Sequence, residues 1–303
     1  MPLRKYKGRN SVSWRKGRKS ASKGKTRRSR KKTSVKMTRL TKKKLLNLTS
    51  TKKRDTMLHV TNTSRANPSG SSTYNRNSPT LVAGPTYMFP WIATWRDTTQ
   101  AEGLKMNQAS RSSQTCYMRG LKEKVLCITN DGTEWLWRRI CFTWRGSELY
   151  GASTAGYTLA SRVTTEGFAR TVNDVNLTTN PVGTRLAQIL FKGAFGIDWN
   201  NYFTAPLDTS YITVKYDKTR SIRSGNQNGR TTTRSFWHPM NKNLVYNDDE
   251  NGPFTATQGP STRAKAGMGD YYIIDIIQTS SPQNQTTSEL QWIPEATLYW
   301  AEK

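Results

Sequence analysis

The chain has 303 residues and a formal net charge of +28, from 48 Lys and Arg against 20 Asp and Glu. That length suits one large domain with an appendage, or two modest domains. The charge points to a polyanion partner, while no run approaches the ~18 apolar residues of a membrane-spanning helix and the N-terminus lacks the apolar core of a secretory signal.

The charge is segregated. Residues 1–54 hold 23 of the 48 basic residues and none of the 20 acidic ones, the first of which is Asp55. The basic blocks are Arg15-Lys16, Arg18-Lys19, Arg27-Arg28, Arg30-Lys31-Lys32, Lys42-Lys43-Lys44 and Lys52-Lys53-Arg54. Their filler is Ser, Thr, Gly and Lys, with too little apolar surface to offset the entropy of ordering. Residues 1–54 are therefore expected to form a disordered basic arm, and residues 55–303 the folded domain. A flexible polycation gains free energy by releasing condensed counterions from nucleic acid. Without a base-reading scaffold its binding should tolerate any sequence. Tyr6 and Trp14 sit among these charges, where aromatic rings can stack on unpaired bases. The blocks at 27–32 and 42–44 also have the composition of nuclear import signals. Leu45, Leu46 and Leu48 leave two readings open: an anchor onto the folded domain, or part of a solvated tail. Gly24-Lys25-Thr26 is no phosphate-binding loop, because Lys19 stands where the motif needs glycine.

Beyond the arm the patterning is β. Strands are expected near 57–63, 87–95, 124–129, 139–144, 211–217, 231–237, 271–277 and 290–300, with a loop over 65–80. Ile212, Val214 and Tyr216 alternate with Thr213, Lys215 and Asp217, as on a strand with one buried face. The segments 124–129 and 271–277 are apolar on both faces, as in interior strands of a sandwich. Pro90 and Pro294 imply edges or bends at their positions. Only 184–192 has helical spacing, through Leu186, Ile189 and Leu190. Eight or so strands with almost no helix fit an all-β sandwich or jelly roll.

Site chemistry is sparse. Cys116, Cys127 and Cys141 are an odd set at wide spacing, which reads as buried thiols. His59 and His238 have no second ligand at metal spacing, so no metal or cofactor is expected. Asp248-Asp249-Glu250 reads as an exposed loop or subunit contact. Asp275 interrupts an apolar strand, and a buried carboxylate there needs an arginine, from this subunit or another.

Several longer strings carry a resemblance. They are Leu48-Thr49-Ser50-Thr51-Lys52-Lys53-Arg54-Asp55-Thr56-Met57, Thr213-Val214-Lys215-Tyr216-Asp217-Lys218-Thr219-Arg220, Trp237-His238-Pro239-Met240-Asn241-Lys242-Asn243-Leu244-Val245-Tyr246, Gly267-Met268-Gly269-Asp270-Tyr271-Tyr272 and Ala296-Thr297-Leu298-Tyr299-Trp300. In these the chain resembles the capsid proteins of genomoviruses. The resemblance implies a single eight-stranded jelly roll and a T=1 icosahedral shell of identical subunits. It also implies a circular single-stranded DNA genome inside, entry into the host nucleus through import receptors, and no enzymatic activity. About 60 copies with 23 charges each would neutralise on the order of 1,400 phosphates, the scale of a very small genome. Three other readings use the same features: a soluble DNA-binding shuttle, an RNA-binding protein, and a nucleic-acid enzyme with Asp248, Asp249, Glu250 or Asp275 as metal ligands.

Overall fold

The computed structural model describes residues 41–303 apart from 69, 72, 99–106, 152–161, 165–166, 176–180 and 281–286. The compact body is Lys43–Lys303. Its strands are β1 (Thr51–Met57), β2 (His59–Thr61), β3 (Thr80–Val82), β4 (Tyr87–Ile92), β5 (Thr115–Thr129), β6 (Trp135–Trp144), β7 (Arg162–Thr164), β8 (Gly167–Val172), β9 (Thr213–Ile222), β10 (Thr231–Val245), β11 (Asp249–Asn251), β12 (Phe254–Ala256), β13 (Asp270–Thr279) and β14 (Glu289–Glu302). Three helices accompany them: α1 (Lys42–Thr49), α2 (Glu148–Gly151) and α3 (Pro181–Leu190).

Eight of these strands make two antiparallel sheets, ordered β1-β14-β5-β10 and β4-β13-β6-β9, with β3 also pairing β14. Ranked by position along the chain, the eight run first-eighth-third-sixth in one sheet and second-seventh-fourth-fifth in the other. That interleaving is the jelly roll. A small sheet of β2, β8 and β7 accompanies them, with β8 against β4 and β1.

The two sheets bury different numbers of faces. Tyr271 and Ile273 of β13 point into the space between the sheets, packing with Met118, Leu121 and Leu298. Tyr272, Ile274 and Ile276 point the other way, into a second core formed with Val182, Leu186, Ile189 and Leu190 of α3. This explains why the segment is apolar at almost every position. β14 instead alternates strictly, with Leu290, Trp292, Ala296, Leu298 and Trp300 buried and the residues between them more exposed. Its sheet has a single core-facing side.

The prolines obey the ladder. Pro90 lies in β4, at the edge of its sheet. Pro294 lies in an interior strand, but β3 pairs with β14 only at 289–291 and β1 only at 296–302. The Trp292 N–H on that same side reaches Pro79 O (3.0 Å). The missing N–H of Pro294 thus faces the gap between two partners.

Three expectations are corrected. Disorder was expected through Arg54, but 42–49 is helical and β1 begins at Thr51, so the expected boundary falls inside a strand. The strand expected at 57–63 is split at the exposed Leu58 between β1 and β2. The strand expected at 124–129 is the last part of one that starts at Thr115. The helix expected at 184–192 is present as α3, Pro181–Leu190; β5 and β13 are interior strands as expected, but only β13 is buried on both faces, and the three cysteines are buried.

Candidate nucleic-acid interface

Alternation in β1 sorts the last basic block onto two sides. Lys52 and Arg54 are exposed, whereas Lys53, Asp55 and Met57 point inward. Lys53 Nζ lies 3.2 Å from Glu302 Oε2 and donates to Ser110 O (2.8 Å), with both partners of the ion pair essentially inaccessible. Its inclusion among the phosphate-binding residues is therefore corrected: its charge is neutralised inside the fold. Lys52 Nζ donates to Asn47 O at the end of α1 (2.9 Å). Lys44 is exposed on α1, and Lys42 and Lys43 begin that helix. Arg15, Lys16, Arg18, Lys19, Arg27, Arg28, Arg30, Lys31, Lys32, Tyr6 and Trp14 lie outside the described residues, as does the expectation of disorder for residues 1–40. Leu45, Leu46 and Leu48 are exposed on α1.

Lys52 and Arg54 stand on the solvent side of the β1-β14-β5-β10 sheet. Across that side, Arg54 is in register with Tyr299 and Tyr299 with Gly120, while Thr297 is in register with Lys122 and Lys122 with Trp237. Tyr117, Arg119, Lys122 and Lys124 of β5 are all exposed on it. Sequence reasoning missed this set, although the alternation of Lys122, Glu123 and Lys124 was a signal available to it.

The inward-pointing Glu123 belongs to a closed ionic ring between the sheets. Arg139 of β6 binds Glu123 (Nη1–Oε2, 2.5 Å) and Asp275 (Nε–Oδ1, 2.7 Å). Arg170 of β8 binds the same two carboxylates at 3.1 and 2.9 Å. Trp137 Nε1 also donates to Asp275 (2.7 Å). Each guanidinium lies against aromatic rings, Arg139 against Trp137 and Phe236, Arg170 against Trp91 and Trp292. Two cations and two anions cancel, and every member is buried. Burial alone would raise the Glu123 carboxyl, but Arg139 and Arg170 bring it net below the ordinary range. The arginine expected for Asp275 is thus supplied twice, within the chain. His238 stands beside the ring, its Nε2 3.9 Å from Glu123 Oε2. Burial, then the Arg139 charge, depress it to about 4. It stays neutral near pH 7.

The acidic cluster is divided. Asp248 accepts from Arg111 Nη2 (2.9 Å), whose guanidinium lies 3.9 Å from the Tyr246 ring centre. Asp249 and Glu250 are exposed on the β11–β12 hairpin. Among the described residues no group of three or more His, Cys, Asp or Glu is placed to hold a metal ion. None of the described helices is long and apolar enough to cross a membrane.

No known family model matches the chain, and no curated protein does. Among solved structures it aligns with the unassembled Washington University polyomavirus VP1 pentamer at 9% identity, over 84% of this chain and 93% of that one. It aligns with trichodysplasia spinulosa-associated polyomavirus VP1 at 11% identity, over 84% and 76%. Both superpositions have a TM-score of 0.12, below what a shared fold gives, so the jelly-roll assignment rests on strand order.

Proposed function

We propose that the chain is a viral coat protein that self-assembles into a closed shell and packages a single-stranded DNA genome through its basic arm. The observation that carries this reading is the segregation of charge: 23 cations without an acid in residues 1–54, joined to a jelly roll whose first strand starts at Thr51. A jelly roll is a compact tile suited to symmetric closure. A tethered polycation neutralises phosphate without demanding a sequence. The resemblance of several strings to genomovirus capsid proteins supports the finer reading: a T=1 particle, a circular genome, and nuclear entry through the basic blocks at 27–32 and 42–44. In this reading the protein has no enzymatic role, and its partners are DNA, copies of itself and import receptors.

The test is electron microscopy of the purified full-length protein with circular single-stranded DNA. Uniform closed particles containing nuclease-protected DNA are expected. A protein that stays monomeric at high concentration, with and without DNA, would instead be a soluble DNA-binding shuttle. Removing residues 2–40 should abolish DNA protection, and full protection by that variant overturns the role of the arm.

A further inference from the structure

We infer that the solvent side of the β1-β14-β5-β10 sheet is a second DNA contact, a stacking platform for unpaired bases. The inference deepens the packaging reading and rests on it for the identity of the polymer.

Four observations carry it. First, the side of this sheet away from the core is at least partly exposed along β1, β5 and β14, whereas the other sheet has α3 against its corresponding face. Second, the side carries Lys52, Arg54, Arg119, Lys122 and Lys124. Its carboxylates are Glu295, in register with Lys124, and Glu289, which is paired with Arg65 at 2.9 Å. The remaining positive excess suits a phosphate backbone.

Third, three aromatic side chains lie among these cations. Tyr117 and Trp237 are 41% and 48% exposed, large values for rings inside regular strands. Trp237 lies 5.9 Å from Tyr299, ring centre to ring centre, across the intervening β5. Fourth, the backbone is shaped to allow that pair. Both neighbours of β5 shift register at Arg119-Gly120, β14 between Tyr299 and Trp300 and β10 between Pro239 and Lys242. Gly120 has no side chain to separate Trp237 from Tyr299. Cations interleaved with exposed rings are the elements of sequence-tolerant single-strand binding: phosphates meet charge and bases meet π-faces. Duplex DNA keeps its base faces stacked inside the helix, so the rings favour the unpaired strand. The arm's last cations, Lys52 and Arg54, are on this same side, so the platform continues the arm's charge.

The test is photocrosslinking of the full-length protein to an oligodeoxynucleotide carrying 5-iodouracil, followed by peptide mapping. Adducts at Trp237, Tyr299 or Tyr117 are expected, beside those in the arm. In parallel, Trp237→Ala combined with Tyr299→Ala should weaken binding to single-stranded oligothymidine by about tenfold or more and leave duplex affinity unchanged. Adducts confined to residues 1–50 while DNA is bound, or equal effects on both DNA forms, overturn the platform and leave packaging by the arm intact. Absence of any DNA binding overturns both readings. If the double variant instead disrupts self-association in DNA-free solution, the face belongs to a second copy of the chain and the inference fails.

Discussion

The indole of Trp237 lies against Gly120 of the neighbouring strand, so that a Cβ built on Gly120 would stand 2.7 Å from Trp237 Cζ2 and 2.6 Å from His238 O. The side chain could swing away, but the carbonyl belongs to the paired strand and cannot. Gly120→Ala should therefore cost about 1–3 kcal/mol, the usual range for overpacking. A lowered urea midpoint with an unchanged slope checks it. A Gly120→Ala protein as stable as the parent would show that β10 yields freely at this point.

Opening the ionic ring should be more costly than its net neutrality suggests. Asp275→Asn leaves Arg139 and Arg170 sharing one carboxylate in a site without water-facing surface. Breaking a buried pair from one side typically costs ~3–5 kcal/mol, because the surviving charge stays desolvated. Glu123→Gln should behave alike. Equilibrium unfolding of both variants tests the prediction, and losses below about 1 kcal/mol would contradict the ring's burial.

His238 should make the protein acid-sensitive. Its folded pKa, about 4, lies below the ordinary 6.5. Between those values the unfolded chain binds the extra proton, so stability is full above about 6.5 and falls as the pH drops towards 4. The loss is of order 3 kcal/mol. Asp270 acts in the opposite sense: burial raises it from 3.8 to about 6, so its contribution is greatest below 3.8 and declines towards pH 6. The difference between parent and His238→Gln isolates the histidine. That difference should grow in the variant's favour on acidification, and a pH-independent difference would refute the assignment.

The last basic block should divide in solution as it does in β1. Lys52→Ala and Arg54→Ala should each lower the salt dependence of DNA binding by about one unit of log–log slope. Lys53→Met should leave that slope alone and lower stability, because Glu302 loses its cation. Fluorescence anisotropy across a salt series, paired with thermal unfolding, distinguishes the two effects.

Much of this division was hidden in the linear order of residues. Lys52-Lys53-Arg54 reads as one block until pairing with β14 fixes which side each member takes. Lys122-Glu123-Lys124 has little net charge as a triplet, and only the sheet turns it into two outward cations and one inward anion. Asp275 was legible as a carboxylate needing an arginine, because nothing polar surrounds it in sequence. Its two partners were not, since Arg170 lies 105 residues away in the short strand β8, which lacked a strand-like pattern. The apolar run of β13 was legible, because burial imposes the period directly, but the repeat of Ile212, Val214 and Tyr216 is not one face: a register shift opposite Cys141 and Phe142 turns Ile212 and Val214 towards the α3-side core and Tyr216 into the space between the sheets.

The first strand of the body is hydrogen-bonded to the last, with Thr51 opposite Glu302 and Met57 opposite Ala296. On the ribosome, β1 therefore emerges long before the strand that will hold it. Neither the β1–β14 ladder nor the Lys53–Glu302 pair can form until β14 has left the exit tunnel, and such distant pairing folds slowly. The cationic sequence ahead of β1 is thus synthesised long before there is a finished subunit to assemble.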